Sequence, residues 1–188
     1  MLKWIWDRFF KNTLYVRIRS DLLSVTLVEQ NRTIEDKPLV ALAPGPKGKR
    51  NIVAVGSEAQ IASSTAGGSV TIHNGFDHPR SCVQDFEIAK ATLQYFIRPV
   101  GNRKNLVRPI IVVHPLEKVE GGLTQIEYRA LRELAESVGV RKVYVWTGRV
   151  LDFQELISLQ FPQSGGKLYG GNWGWSSFGG TGRIRRSQ

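Results

Sequence analysis

Residues 109–146 read PIIVVHPLEKVEGGLTQIEYRALRELAESVGVRKVYVW, and this stretch decides the fold. It opens with an uninterrupted run of β-branched residues, which predicts a central strand buried on both faces. Thr124 and Glu127 then have the spacing of a capping box, in which each side chain binds a free backbone amide at a helix start. Helical apolar spacing continues up to Gly139, a residue suited to closing a helix, and residues 142–146 predict the next strand. The stretch therefore predicts a strand, a helix and a second strand.

The flanking segments extend this alternation of strands and helices. Residues 14–19 alternate apolar and polar side chains, and two short strands follow a polar turn at residues 20–21, which predicts three hairpin-connected strands. Residues 86–97 carry apolar side chains at helical spacing before Pro99, and a helix of about ten residues is expected from Asp152. This order of elements resembles the α/β ribonuclease-H-like fold. We therefore expect a mixed five-stranded sheet with flanking helices.

An inserted segment interrupts this core. Prolines and glycines punctuate residues 38–84, which contain short strand patterns around a small helix that Ser57 is placed to cap. This segment predicts a small inserted α+β subdomain. The core subdomain is then formed by residues 13–37 together with residues 85–162.

Residues 1–12 predict an amphipathic N-terminal helix. Its apolar arc is rimmed by basic side chains and a tryptophan lies on its polar side, as in helices that lie in the headgroup layer of an anionic membrane. Packing of the same face against the protein itself or against a partner remains the alternative. The candidate membrane-binding residues are Leu2, Lys3, Trp4, Ile5, Trp6, Arg8, Phe9, Phe10 and Lys11.

Residues 163–188 predict a flexible tail in which glycines alternate with aromatic and basic side chains. Such side chains can stack on bases, insert at a bilayer surface or dock into a groove of a partner protein. Contact with a partner or a membrane is favoured over an idle linker, because exposed tryptophans are costly on a soluble protein. The candidate partner-binding residues are Tyr169, Trp173, Trp175, Phe178, Arg183, Arg185 and Arg186.

Composition restricts the compartment and the class of partner. The chain has 188 residues, a formal net charge of +10 and a single cysteine, Cys82. The charge favours an anionic partner, either a membrane surface or nucleic acid. No stretch reaches the ~20 apolar residues of a membrane-spanning helix and no secretory signal is evident, so we expect a cytoplasmic protein. The lone thiol fits a reducing compartment and is expected to be a buried structural side chain.

Three blocks of the sequence form a recognisable set: residues 53–59 (VAVGSEA), residues 84–87 and 93–97 (QDFE and LQYFI), and residues 124–133 (TQIEYRALRE). In order and spacing they resemble bacterial actins of the MreB type, and the resemblance runs from about Leu14 to Trp146. The opening Met1-Leu2-Lys3 is also similar to that family's membrane-binding start. The resemblance implies an actin-like ATPase domain, with a first domain that carries a small insertion.

The sequence departs from the nucleotide site that this resemblance implies. Family members have an Asp-Leu-Gly-Thr turn after the first strand, which approaches the phosphates and the metal, whereas residues 17–22 here read RIRSDL. The family's Glu-Glu-Pro sequence, whose glutamate positions the attacking water, is replaced by Thr147-Gly148-Arg149. The family's second domain is not matched. We therefore expect no ATPase activity, no cofactor and no catalytic or metal-binding residues.

Five further side chains have ordinary structural interpretations. His73, His78 and Cys82 are spaced so that they could meet at a metal, but no fourth ligand is evident. Asp21 is expected to be a solvated turn residue, and His114 to cap a strand end.

Three functions are compatible with the sequence. The leading hypothesis is a noncatalytic, membrane-associated cytoskeletal or scaffold protein at the inner face of the cell membrane. Its protein partner would be a full-length MreB-type filament or the chain itself, in cell-shape control or envelope-linked machinery. The second hypothesis is a nucleic-acid-binding protein that uses its basic termini and aromatic tail, with strongly salt-dependent affinity. The third is a nucleotide-binding regulator without hydrolysis.

Overall fold

The computed structural model of the chain describes residues 12–100 and 108–170. The candidate membrane-binding residues all lie outside this part, as do the candidate partner-binding residues other than Tyr169. Within the described ranges, no helix has the length and apolar character needed to cross a bilayer.

The described residues form nine strands and four α-helices, numbered here in chain order. The strands are β1 Thr13–Ile18, β2 Leu23–Leu27, β3 Arg32–Asp36, β4 Leu39–Pro44, β5 Arg50–Val55, β6 Thr71–Asn74, β7 Ile110–Pro115, β8 Lys142–Gly148 and β9 Gly166–Tyr169. The helices are α1 Glu58–Thr65, α2 Phe86–Val100, α3 Gln125–Glu136 and α4 Phe153–Ser158, with short 3-10 turns at Val28–Gln30 and Pro46–Gly48.

Six strands form the main sheet in the order β3-β2-β1-β7-β8-β9. β1 is antiparallel to β2 and parallel to β7, and β7 is parallel to β8. The predicted central strand is confirmed, because every residue of β7 is buried between two parallel neighbours. Its alternate residues enter two separate cores: Ile111 and Val113 pack with α2 and α3, whereas Val112 packs with Leu156 of α4. The predicted α/β class with a mixed sheet is therefore confirmed.

The inserted subdomain is a three-stranded antiparallel sheet in the order β5-β4-β6, which lies within residues 38–84. Helix α1 packs on this sheet, and Val40 and Val55 join the core of the main sheet. The prediction that Ser57 caps α1 is wrong. Its hydroxyl instead donates to Oδ2 of Asp36 at 2.9 Å, so the side chain joins β3 to the insertion.

The strongest local signal for a helix is confirmed at α3. Glu127 N donates to Oγ1 of Thr124 at 3.2 Å and Thr124 N donates to Oε2 of Glu127 at 3.0 Å, which is the predicted capping box. Gly139 has the predicted left-handed conformation, with φ of 78°. Helix α4 has six residues instead of about ten, because Leu159 adopts a left-handed conformation and ends it.

The predicted C-terminal tail begins too early. Residues 166–169 form β9, which pairs antiparallel with β8 and adds a sixth strand to the expected five. Gly166 lies against the indole of the fully buried Trp146, so close that an added Cβ would stand 2.1 Å from Cζ2. A glycine that composition assigns to a flexible linker is here required by a close approach of backbone to side chain.

Candidate functional site

The carboxyl ends of β1, β7 and β8 meet at one edge of the main sheet, where open α/β sheets bind ligands. The resemblance aligns the turn between β1 and β2 with the family's phosphate-binding turn. This turn is tight, since Arg19 N donates to Leu22 O at 3.0 Å. Asp21 is exposed at its tip, as predicted, and accepts from Nε of Arg19 at 2.9 Å.

The carboxylate of Glu117 occupies the hydrogen-bond donors of this turn. Its Oε2 accepts from Ser20 N at 3.1 Å and from Ser20 Oγ at 2.9 Å, and its Oε1 lies 3.0 Å from Nε of Arg19. The hydrogen bond from the backbone amide of Ser20 contributes most to lowering the pKa of Glu117, so the carboxylate is ionised at neutral pH. A negative charge belonging to the chain itself therefore binds the amide and hydroxyl of the turn.

Asn74 holds the other side of the same turn. Its Nδ2 donates to Ser20 O at 2.7 Å and its Oδ1 accepts from Phe76 N at 2.9 Å, which ties the inserted subdomain to the turn. The cleft between them has a cavity volume of about 10 Å³, room for about one water molecule and far below the roughly 300–1,000 Å³ of ligand pockets. The cleft is lined by Ile18, Arg19, Ser20, Phe76, Cys82, Pro115, Glu117 and Lys118.

A polar chain centred on the buried side chains of His114 and Tyr15 crosses three strands at this edge of the sheet. His114 Nε2 is 3.0 Å from the carbonyl of Gly148, which can only accept, so Nε2 carries the proton. Nδ1 is then the acceptor for the hydroxyl of Tyr15 at 2.6 Å, and that hydroxyl oxygen accepts from Leu151 N at 3.3 Å. Burial lowers the pKa of His114 to about 4. The imidazole is neutral at physiological pH and joins β1, β7 and β8, so the prediction that it caps a strand end is wrong.

The second departure from the family lies at the end of β8. The carbonyl of Gly148 is bound to His114, and the guanidinium of Arg149 forms an ion pair with Glu155 in α4. Glu155 also accepts from the backbone amide of Asp152 in a second capping box. The pair of Arg149 and Glu155 therefore joins α4 to the end of β8.

The three possible metal ligands are not brought together. His73 Nε2 bonds Thr71 Oγ1 at 3.0 Å, and His78 Nδ1 accepts from Arg80 N at 3.1 Å. Cys82 is buried, and burial raises the pKa of its thiol to about 11, which leaves it an unreactive core side chain. In residues 12–100 and 108–170, no cluster of three or more His, Cys, Asp or Glu side chains is arranged to hold a metal.

Tyr169, predicted to bind a partner, has a structural role. Its ring stacks on Tyr128 with centroids 6.0 Å apart, and its hydroxyl accepts from Leu123 N at 2.9 Å. The side chain therefore fixes β9 to α3 and to the loop before it, and the prediction that this residue lies in a flexible tail is wrong.

Glu117 and Tyr15 were not singled out from the sequence. Glu117 follows the buried strand by two residues, at the edge where functional side chains of α/β sheets gather, and this position was an available signal. Tyr15 carried the weaker signal of an aromatic residue on the polar phase of a strand, which indicates that both faces of the strand are covered.

Topology, the inserted small sheet and the register of β1, β7 and β8 define an actin-like domain of the ribonuclease-H-like class. The chain belongs to the MreB/Mbl protein family, whose family model matches residues 24–151.

The relatives and solved structures agree with this assignment. The chain is 29% identical over 137 residues to the cell shape-determining protein MreB of Haemophilus influenzae and 28% identical over 141 residues to that of Escherichia coli K12. Each match covers 72% of this chain but only 38% of the relative. The fold matches MreB 5 of Spiroplasma citri bound to AMPPNP with a TM-score of 0.57, 15% identity and coverage of 72% of this chain and 38% of that one. It also matches a non-polymerising mutant of MamK bound to AMPPNP, with a TM-score of 0.54, 16% identity and coverage of 72% and 40%.

Proposed function

We propose that this MreB/Mbl family member is a noncatalytic cytoskeletal or scaffold protein. It acts in the cytoplasm at the inner face of the cell membrane, held there by residues 1–12, and binds or modulates a protein assembly. An MreB-type filament or copies of the chain itself are the partners. Support comes from relatives named for determining cell shape and from the basic, aromatic composition of both ends of the chain.

The contact between Glu117 and the β1–β2 turn carries the noncatalytic part of this proposal. Phosphoryl transfer depends on donors and a metal ion positioned around the phosphates. Here the amide and hydroxyl of Ser20 and the guanidinium of Arg19 are bound to an ionised carboxylate. A nucleotide phosphate would have to displace that carboxylate against charge repulsion, and the turn has no glycine to let a phosphate approach the backbone.

Calorimetry and a phosphate-release assay test the noncatalytic role. We expect a flat titration of the full chain with ATP and magnesium, and no phosphate release above the buffer rate. Glu117→Ala should leave release at background while lowering the free energy of unfolding by about 1 kcal/mol, because charge-assisted hydrogen bonds are lost. The exposed neighbour Glu120 provides the matched control, and Glu120→Ala should change neither quantity. Phosphate release that disappears in Asp21→Ala would overturn the noncatalytic role.

Cosedimentation tests the attachment and the partner. The full chain should pellet with liposomes containing anionic lipid, and a chain lacking residues 1–12 should remain in the supernatant, because the apolar arc and its basic rim are removed together. Binding should persist at high salt, unlike binding to nucleic acid. For the tail, the deletion must begin at residue 171 so that β9 is retained. Unchanged pelleting with liposomes and with MreB-type filaments after both deletions would contradict attachment through the termini.

A further inference from the structure

Strand β5 forms an edge of the inserted sheet, and its residues 50–53 are exposed. It pairs only with β4 among the described residues. The side chains of Ile52 and Val53 remain 50% and 49% exposed, and Val53 is the extra residue where the register with β4 shifts. An edge with unpaired backbone groups and exposed apolar side chains is a template for a further strand.

The outer strand at one end of the main sheet shows how this protein protects an edge. β3 carries Arg32, Glu35 and Asp36 among its five residues, and such charges oppose pairing with another chain. From residue 51 to residue 55, β5 carries no charge at all. The exposed apolar pair therefore lies on an edge without the charged side chains found at β3.

The charges at the two ends of β5 have opposite signs and indicate what covers the edge. Lys47, Lys49 and Arg50 are exposed at its start and form no ion pair within the described residues. Asp36 and Glu58 lie at its far end, where Oδ2 of Asp36 accepts from the amide of Ser57 at 2.9 Å. Lys37, the basic side chain nearest to them in sequence, donates to Gln60 of its own chain. An antiparallel second copy of the strand would place a basic end beside an acidic end twice.

We propose that β5 pairs with β5 of a second copy of this chain, antiparallel across a two-fold axis beside Ile52 or Val53, so that one of these residues faces its own copy. The two inserted sheets then form one continuous six-stranded sheet. A two-fold axis makes the contact isologous, so the dimer closes and leaves neither β5 edge free. Lys47 and Lys49 of one subunit approach Glu58 of the partner subunit. The contact is separate from membrane attachment and from the catalytic status of the chain.

Disulfide trapping tests the pairing directly. Paired positions of antiparallel strands have Cα atoms about 4.5–5.5 Å apart, which is within the range that a disulfide spans. We expect Ile52→Cys or Val53→Cys in the full chain to give a covalent dimer under mild oxidation, in at least tenfold greater yield than Ile126→Cys. Ile126 is the matched control because it is 80% exposed and lies on helix α3 instead of on a strand. The native Cys82 is buried and provides a blank.

Charge reversal tests the orientation of the two strands. In the better of the two cysteine variants, Lys47→Glu with Lys49→Glu should reduce trapping at least tenfold, and Glu58→Lys alone should also reduce it. Combining the three changes should restore trapping, because opposite charges face each other again. Restoration cannot arise from a loss of folding, and trapping needs neither lipid nor filament, so failure here is distinguishable from failure of the proposed function. Trapping equal to that of Ile126→Cys, or no restoration, overturns the proposal.

Discussion

Lowering the pH from 7 to 4 should reduce the free energy of unfolding by about 3 kcal/mol through His114 alone. The imidazole is completely buried, its Nδ1 accepts from Tyr15, and burial lowers its pKa to about 4. The unfolded chain binds the proton below about pH 6.5, whereas the folded chain binds it only below about pH 4. The contribution of His114 is therefore complete above pH 6.5, declines as the pH falls through this window, and changes little below it.

Urea unfolding at pH 7, 5.5 and 4 measures this effect. The control is His114→Gln, whose amide can accept from the hydroxyl of Tyr15 and donate to the carbonyl of Gly148 but does not titrate. Carboxylates such as Glu117 titrate in both proteins, so the difference between the two pH profiles isolates His114. Parallel profiles for the wild type and the variant would show that the imidazole does not remain neutral in the fold.

The buried chain through His114 was beyond the reach of sequence reasoning because it depends on strand register. Tyr15 and His114 are 99 positions apart and belong to strands whose local patterns do not identify their neighbours. Tyr15 pairs with Val112 in the parallel β1–β7 ladder, and His114 follows Val112 by two residues on the same strand. Because alternate residues of a strand share a face, the side chains of Tyr15 and His114 lie on one face of the sheet. The isolated strand pattern indicates only that His114 is near a strand end, and the third partner, Gly148, comes from another strand.

Elements with strong local signals were predicted correctly. The apolar run of β7 specifies a strand covered on both faces, and the capping box at Thr124 specifies the first turn of α3 whatever the rest of the chain does. The prediction at Ser57 was wrong because a local signal competed there with a long-range partner. The hydroxyl could have bound a helix amide, but in the structure it binds Asp36 of β3.

The candidate site was predicted in part. Loss of the glycine turn at residues 17–22 and replacement of Glu-Glu-Pro were visible in the sequence. What now binds the turn was not visible, because Glu117 lies 97 positions from Ser20 and reaches it only after β7 pairs with β1. A long-range carboxylate that binds a turn amide leaves no periodic signal.

Strand β9 was missed because its composition is that of a linker. Four glycines among residues 165–171 predict flexibility, since no isolated segment of this kind can bury enough apolar surface. The sheet changes that balance: β8 offers an open edge, the partly buried Leu168 packs against the cluster that contains its cross-strand partner Trp146, and Tyr169 stacks on Tyr128. The structure therefore predicts that a larger side chain at Gly166 lowers the stability of the fold, whereas a flexible tail would tolerate it.

Gly166→Val should lower the free energy of unfolding by at least about 2 kcal/mol, because overpacking against a well-packed buried ring typically costs this much. The added Cβ would stand 2.1 Å from Cζ2 and 2.4 Å from Cη2 of Trp146, and the indole cannot retreat because it is fully buried and its Nε1 donates to Arg149 O at 2.9 Å. Urea or thermal unfolding followed by tryptophan fluorescence measures the loss.

The matched control is Lys167→Val, one residue along the same strand, where the native side chain is exposed. This change should alter the free energy of unfolding by less than about 0.5 kcal/mol, as exposed substitutions usually do. In a flexible tail, both variants would be neutral, because valine would meet nothing at either position. If Gly166→Val is neutral, β9 is not part of the sheet and residues 163–170 belong to the tail. If only Gly166→Val lowers the free energy of unfolding, the close approach to Trp146 fixes the last strand.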